Sequence, residues 1–276
     1  MSRELVQRLL TAAVLIPLFS VVVMKSSTLY FSLLIAVVVL IAAWEWGRLV
    51  HLSPSTWTIF IAAMVATVVL AVVGKIPAAA MHVISAVAMI WWAAATVWVM
   101  RFKQAVSRGG SPWRGMVAGL IVLLPAFLSL RALHQEAAFG PGYVLFLFFL
   151  IWAADSGAYF AGRRFGRHKL APHVSPGKSW EGLIGGMSAA AVVALVGGRL
   201  LGLSGEAVMW FVPLCMVVVV ISVVGDLLES LFKRSAGVKD SGRFLPGHGG
   251  ALDRIDSLTA AAPAFYLGLT LFEWPA

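Results

Sequence analysis

Apolar residues in this chain run in long blocks: Leu9 to Met24, Leu29 to Trp44, Trp57 to Val73, Ala78 to Met100, Met116 to Leu130, Tyr143 to Phe160, Leu183 to Leu203, Ala207 to Leu227 and Leu258 to Phe272. Crossing the hydrocarbon of a bilayer takes roughly 20 apolar residues in a helix, because every backbone N–H and C=O must be paired inside the segment. The pattern therefore predicts an all-α, polytopic integral membrane protein with about nine transmembrane helices. The first and fifth blocks are short enough to be tilted, kinked at Pro17 or Pro125, or partly interfacial. Composition agrees, since only 12% of the residues are charged against about 25% in soluble domains.

The first block follows Arg3 and Arg8 but has no small-x-small cleavage site before Lys25, so it is expected to stay as a span. The one cysteine, Cys215, sits inside the eighth block. It reads as a small core residue and leaves no disulfide framework or cysteine metal site.

Nine crossings leave ten exterior segments, and 17 of the 21 Lys and Arg residues fall in the first, third, fifth, seventh and ninth of these. Basic residues of short loops stay cytoplasmic, so the N-terminus is expected inside and the C-terminus outside. Such loops lie against anionic headgroups, which accounts for the net charge of +9 without a nucleic acid partner. Trp44, Trp46, Trp57, Trp113 and Trp274 fall near the same interfaces, where amphipathic rings are favoured.

No linker or internal repeat divides residues 1–276, which read as one membrane domain. Residues 1–140 read as scaffold spans and 141–276 as a catalytic half with cytoplasmic loops at 161–182 and 228–257. All five aspartates, Asp155, Asp226, Asp240, Asp253 and Asp256, lie in that second half, each in or beside a cytoplasmic end. In the first half Glu45 is expected to pair with Arg48 or to lie at the interface.

Asp155 lies about two turns inside the sixth block. A carboxylate there costs about 2.5–3.5 kcal/mol on insertion scales if it faces lipid, so it should point to a partner such as Arg163 or into a wet cavity. The run Ser175-Pro-Gly-Lys-Ser-Trp-Glu-Gly182 contains a Gly-Lys-Ser, yet Pro172 stands where a phosphate-binding loop needs glycine. Lys178 and Ser179 nevertheless lie at the entrance of the next helix, where free N–H groups favour a phosphate. Gly182-x-x-x-Gly186 is a spacing that lets helices approach closely.

Between the eighth and ninth blocks, Asp226, Glu229 and Lys233 are spaced by three and four and share a helical face. Asp253 and Asp256 likewise share a face at the start of the ninth. If the two helices are neighbours, their carboxylates meet, with Pro246-Gly-His-Gly-Gly250 as a cover between them. That arrangement suits Mg²⁺, which takes one or two carboxylates together with substrate phosphates and water. Asp226, Asp253, Asp256 and Asp155 are the candidate ligands, for Mg²⁺ and for a second cation where one joins it. Lys233, Arg234, Lys239, Arg243 and Arg254 supply positive charge for phosphate oxygens.

The spacing Ser230-x-x-Lys233-Arg234, Lys239-Asp240, His248-Gly249-Gly250, Asp253-Arg254-x-Asp256 resembles the signature of the phosphatidate cytidylyltransferases. Ser175 to Glu181 also looks like that family, and Ala251 departs from it, where a larger aliphatic residue is usual. The resemblance implies CTP and phosphatidic acid as substrates, CDP-diacylglycerol and pyrophosphate as products, Mg²⁺ as cofactor and a homodimer in the bacterial inner membrane with its site facing the cytoplasm. Asp226, Asp253, Lys233 and Asp256 would then be catalytic. Lys178, Ser179, Lys233, Arg234, Lys239, His248 and Arg254 would contact phosphates, with His248 alternatively anchoring its loop. Two rival expectations stand beside this one: a CTP-dependent lipid kinase resembling dolichol kinase, and an ion-coupled transporter.

Overall fold

The computed structural model describes residues 16–74, 76–102, 111–136, 139–242 and 249–271. Its helices are α1 (Ile16–Lys25), α2 (Thr28–Leu49), α3 (Pro54–Val73), α4 (Ala78–Arg101), α5 (Pro112–Gln135), α6 (Gly140–Phe165), α7 (Trp180–Leu200), α8 (Glu206–Ala236) and α9 (Leu252–Leu271). Each falls on one of the apolar blocks, so the order of elements is the expected one. Seven of them, α2 to α8, are long and apolar enough to cross a membrane. The helix α9 reaches 20 residues but opens on Asp253, Arg254 and Asp256. Much of the first block lies outside the described residues. Among the described residues seven helices are thus long and apolar enough to span, beside the about nine expected for the whole chain.

The charged helix ends extend further than the apolar blocks. With 31 residues and about 1.5 Å of rise per residue, α8 is roughly 46 Å long, well over the roughly 30 Å of hydrocarbon. Its last turns, carrying Asp226, Glu229 and Lys233, therefore stay helical beyond the apolar stretch and end on the left-handed Gly237. The expected loop 228–257 shrinks accordingly to the connection between Ala236 and Leu252.

One departure from an all-helical chain is a short antiparallel hairpin between α6 and α7. Its strands β1 (Lys169–Ala171) and β2 (Ser175–Ser179) pair Lys169 with Ser179 and Ala171 with Ser175. The hairpin hands Lys178 directly to the start of α7. There Ser179 is the N-cap, its hydroxyl accepting from the Gly182 N–H at 3.1 Å.

Packing is tightest between α6 and α7. Lipid tails are as apolar as leucine, so helices in a bilayer gain little from apolar burial and associate through close van der Waals contact of small residues. On α7 the buried residues are Gly182, Gly186, Ala190, Ala194 and Gly198, one every fourth position. A Cβ on Gly186 would stand 2.7 Å from the Ala154 carbonyl oxygen, and one on Gly157 2.7 Å from that of Gly185. The Gly182-x-x-x-Gly186 spacing is thus a packing seam, as expected. A similar approach brings α9 onto α8, where a Cβ on Gly225 would stand 2.5 Å from the Asp256 carbonyl oxygen.

The loops expected on one side of the membrane do gather at one end of the bundle. The Trp46 indole N–H at the end of α2 donates to the Gly115 carbonyl at the start of α5, at 2.9 Å. Trp46 and Trp98 both pack edge-on against Phe232 near the end of α8, with ring centroids 4.8 and 5.5 Å away.

Candidate active site

Asp155 on α6 and Asp226 on α8 each stand ten residues before the end of their helix, roughly 15 Å along the axis from it. Between α6, α7 and α8 lies a cavity of about 330 Å³. Asp155, Lys178 and Asp226 supply its charged lining; Ala154, Leu183, Val219 and Val223 are among its apolar walls. The Lys178 ammonium meets Asp226 Oδ2 at 2.7 Å, and Ser230 donates to Asp226 Oδ1 at 3.3 Å. Asp155 faces this pair, whereas Arg163 donates to the Tyr159 hydroxyl at 2.8 Å. Of the two expectations for Asp155, the cavity is the one the geometry matches.

From Asp226 a chain of charged groups crosses to the far side of α8. Asp256, at the contact that Gly225 makes possible, lies close to both Asp226 and Glu229. Both Glu229 oxygens are buried, with the Asp256 carboxyl against them and the Lys233 ammonium 3.4 Å from one. Lys233 turns its charge to Asp253 Oδ1 at 2.7 Å. The other Asp253 oxygen accepts from the Ser241 N–H at 3.0 Å and the Gly250 N–H at 2.8 Å. Asp253 precedes the apolar stretch of α9. Partial burial acts to raise its pKa, but Lys233 and these two N–H groups outweigh that and hold the carboxyl down at about 2.

Asp226 and Asp253 thus belong to one polar network at one end of the bundle, but they face different ways. Asp226 looks into the cavity, and Asp253 is committed to Lys233 and to the backbone of the α8–α9 connection. A Cβ on Gly249, whose φ is +82°, would stand 2.7 Å from Asp253 Oδ2, so both the backbone conformation and the carboxylate call for glycine.

The remaining expected phosphate contacts spread outward. The Ser179 hydroxyl is occupied as the α7 cap, though its residue still lines the cavity. Arg234 is exposed, with its Nε donating to the Val174 carbonyl at 3.5 Å. Lys239 and Arg254 are also exposed. His248, like Arg243, lies outside the described residues.

Two residues carry more of this arrangement than their sequence positions suggested. Glu229 was legible only as a face-mate of Asp226 and Lys233, not as a buried acid. Glu45 was expected to pair with Arg48 or to lie at the interface, yet it is only 4% exposed and takes its hydrogen bonds from the start of α9. A lone acid within the apolar run Leu40 to Trp46 was the available signal, since burying it there without donors is costly.

Five carboxylates, Asp155, Asp226, Glu229, Asp253 and Asp256, share the network with two ammonium groups, Lys178 and Lys233. Glu229 is the buried one of the five, and their oxygen-only donors are of the kind a hard cation takes. Among the described residues no group of three or more His, Cys, Asp or Glu side chains is placed to hold a metal ion, so an ion such as Mg²⁺ would need substrate phosphate and water as further ligands.

The whole of residues 6–272 matches the model of the cytidylyltransferase family. The chain is 43% identical over 270 residues to a phosphatidate cytidylyltransferase of Pseudomonas aeruginosa, covering 98% of each. It is 38% identical over 279 residues to a phosphatidate cytidylyltransferase of Haemophilus influenzae, covering 94% of this chain and 96% of the relative. To one of Brucella suis it is 44% identical over 169 residues, 61% of each.

Proposed function

The chain belongs to the cytidylyltransferase family, and from this premise we propose that it transfers the cytidylyl group of CTP to phosphatidic acid, giving CDP-diacylglycerol and pyrophosphate. The observation that carries the proposal is the cavity between α6, α7 and α8, with apolar walls and Asp155, Lys178 and Asp226 as its charged lining. An apolar space with charge on its lining matches an amphiphile with a phosphate head. CTP would come from the side of Lys233, Lys239 and Arg254, where the α8–α9 connection lies.

In this reaction an oxygen of the lipid phosphate attacks the α-phosphorus of CTP. A P–O bond forms there, the bond to the bridging oxygen of the β-phosphate breaks, and pyrophosphate leaves with that electron pair. The attacking monoester, with a second pKa of about 6, is already ionised at neutral pH, so no strong general base is needed. Lys178 supplies positive charge to the lipid phosphate. Lys233, held in place by Asp253 and Glu229, does the same for the nucleotide. Asp226 and Asp256, with Asp155 beside them, are the residues that would hold Mg²⁺. The ion, when bound, neutralises charge developing on the phosphate oxygens and orients them for in-line displacement.

This assignment narrows the ligand set expected from sequence, because both Asp253 oxygens are engaged elsewhere. Asp253 is read instead as the group that fixes Lys233 and the α8–α9 connection. The family resemblance and the basic loops support a bacterial inner-membrane enzyme whose site opens to the cytoplasm. The resemblance also supports a homodimer.

The deciding experiment incubates purified protein with Mg²⁺, phosphatidic acid and CTP labelled at either the α- or the γ-phosphate. Label from the α-position is expected in lipid, with one pyrophosphate released per lipid. Entry of the γ-label would instead make the protein a lipid kinase, and proteoliposomes showing flux without CTP turnover would make it a transporter.

A further inference from the structure

Glu45 sits on α2, in the half of the chain that reads as scaffold, yet its carboxylate reaches the segment bearing the family motif. Its Oε1 accepts from the Ala251 N–H at 3.1 Å, and its Oε2 accepts from the Leu252 N–H at 2.8 Å and from the Ser241 hydroxyl at 3.1 Å. Ala251 and Leu252 are the entrance of α9, where N–H groups have no helical partner and the helix dipole favours negative charge. Glu45 therefore caps α9 from another helix.

The fit around it is close on both sides. A Cβ on Gly242 would stand 2.6 Å from the Glu45 carboxyl carbon, and one on Gly250 2.5 Å from Oε1. Asp253 accepts from the backbone N–H groups of the neighbouring Ser241 and Gly250. Two carboxylates thus clamp both ends of the 241–252 connection, one from outside the active half and one from within it. The next residue along α2, Trp46, packs on Phe232, beside Lys233.

We propose that Glu45 is a positioning residue of the active centre: it pins Ser241 to the start of α9 at Ala251 and Leu252 and, through Asp253, sets Lys233 for the nucleotide phosphates. The proposal rests on the function given above. Replacement by Ala removes all three acceptor contacts. Replacement by Gln leaves one acceptor oxygen and turns an N–H₂ group toward a backbone donor, so its effect should be intermediate.

The test compares wild type, Glu45→Ala, Glu45→Gln and Ser241→Ala in nanodiscs, measuring kcat and KM for CTP and for phosphatidic acid per folded molecule. Hydrogen exchange at the Ala251 and Leu252 amides is followed in the same samples. A misplacement of about 1 Å can cost on the order of 100-fold in rate. We expect Glu45→Ala to lose about 10- to 100-fold in kcat/KM for CTP, with the KM for phosphatidic acid within about two-fold of wild type. Glu45→Gln should lie between it and wild type, and Ser241→Ala closer to wild type. Exchange at 251 and 252 should quicken in the same order.

Wild-type kcat/KM for CTP in folded Glu45→Ala would overturn the proposal. So would a loss explained wholly by a smaller folded fraction. If wild type itself makes no CDP-diacylglycerol, the functional reading fails separately, and unchanged exchange in Glu45→Ala would then overturn the clamp.

Discussion

Each acid in this protein is set apart by the donors around it. Asp253 has an ammonium and two backbone N–H groups; Glu229, only 3% exposed, has an ammonium at 3.4 Å and the Asp256 carboxyl beside it. Lys233 is thus the one charge shared by two buried acids, and removing one partner from such a group costs about 3–5 kcal/mol. Lys233→Met should lower stability by about 3 kcal/mol, measured by denaturation in detergent. Adding Glu229→Gln should restore part of that stability but no turnover. Recovery of turnover would mean that Lys233 acts only on the fold. Asp226 is the opposite case, half-exposed at the cavity. Asp226→Asn should reduce kcat by at least about 100-fold, a loss on the scale of removing one electrostatic contact to the reacting groups, while the protein still inserts. Wild-type turnover in that variant would remove Asp226 from the chemistry. The shared face of Asp226, Glu229 and Lys233 was legible because their spacing of three and four can be counted on a helix. Glu45 was not, since its partners lie 206 and 207 residues further on, and backbone N–H groups leave no mark in a side-chain pattern.

Among the elements, hydropathy located every helix but misjudged the ends. Hydropathy falls where Asp226 begins the charged turn, but helical hydrogen bonding does not, so α8 continues to Ala236 and the expected loop loses residues at both ends. The hairpin of β1 and β2 was invisible for a related reason, because Ser175-Pro-Gly-Lys-Ser has no strand-like composition and pairs only as the short link between two packed helices. The glycine spacing on α7, by contrast, could be read directly, since a contact between backbones requires small side chains wherever it occurs. Because α6 carries Asp155 and β2 delivers Lys178, the seam between α6 and α7 fixes their separation. Gly186→Leu should force the helices apart, cost about 1–3 kcal/mol as overpacking and lower turnover together with the melting temperature. Gly177 meets nothing within 4 Å of an added Cβ, and Gly177→Ala should change stability by less than about 0.5 kcal/mol. Equal melting temperatures for these two variants would contradict the packing account.

For the whole molecule the decisive quantity is which aqueous phase reaches the network. Helices α7 and α8 run in opposite directions, so the hairpin near Gly177 and the turn near Val238 lie at one end and Ser204 at the other. The distribution of Lys and Arg predicts that the first end faces the cytoplasm, the compartment that holds CTP. The only native thiol, Cys215, is fully buried, so single cysteines placed elsewhere can be read without interference. With a membrane-impermeant maleimide, Gly177→Cys and Val238→Cys should react only in inside-out vesicles, and Ser204→Cys only in right-side-out vesicles. The reverse pattern would turn Lys233 and the α8–α9 connection away from the nucleotide. Charge placement would then have failed as a guide to orientation, and the lysines of the network would need another anion to bind.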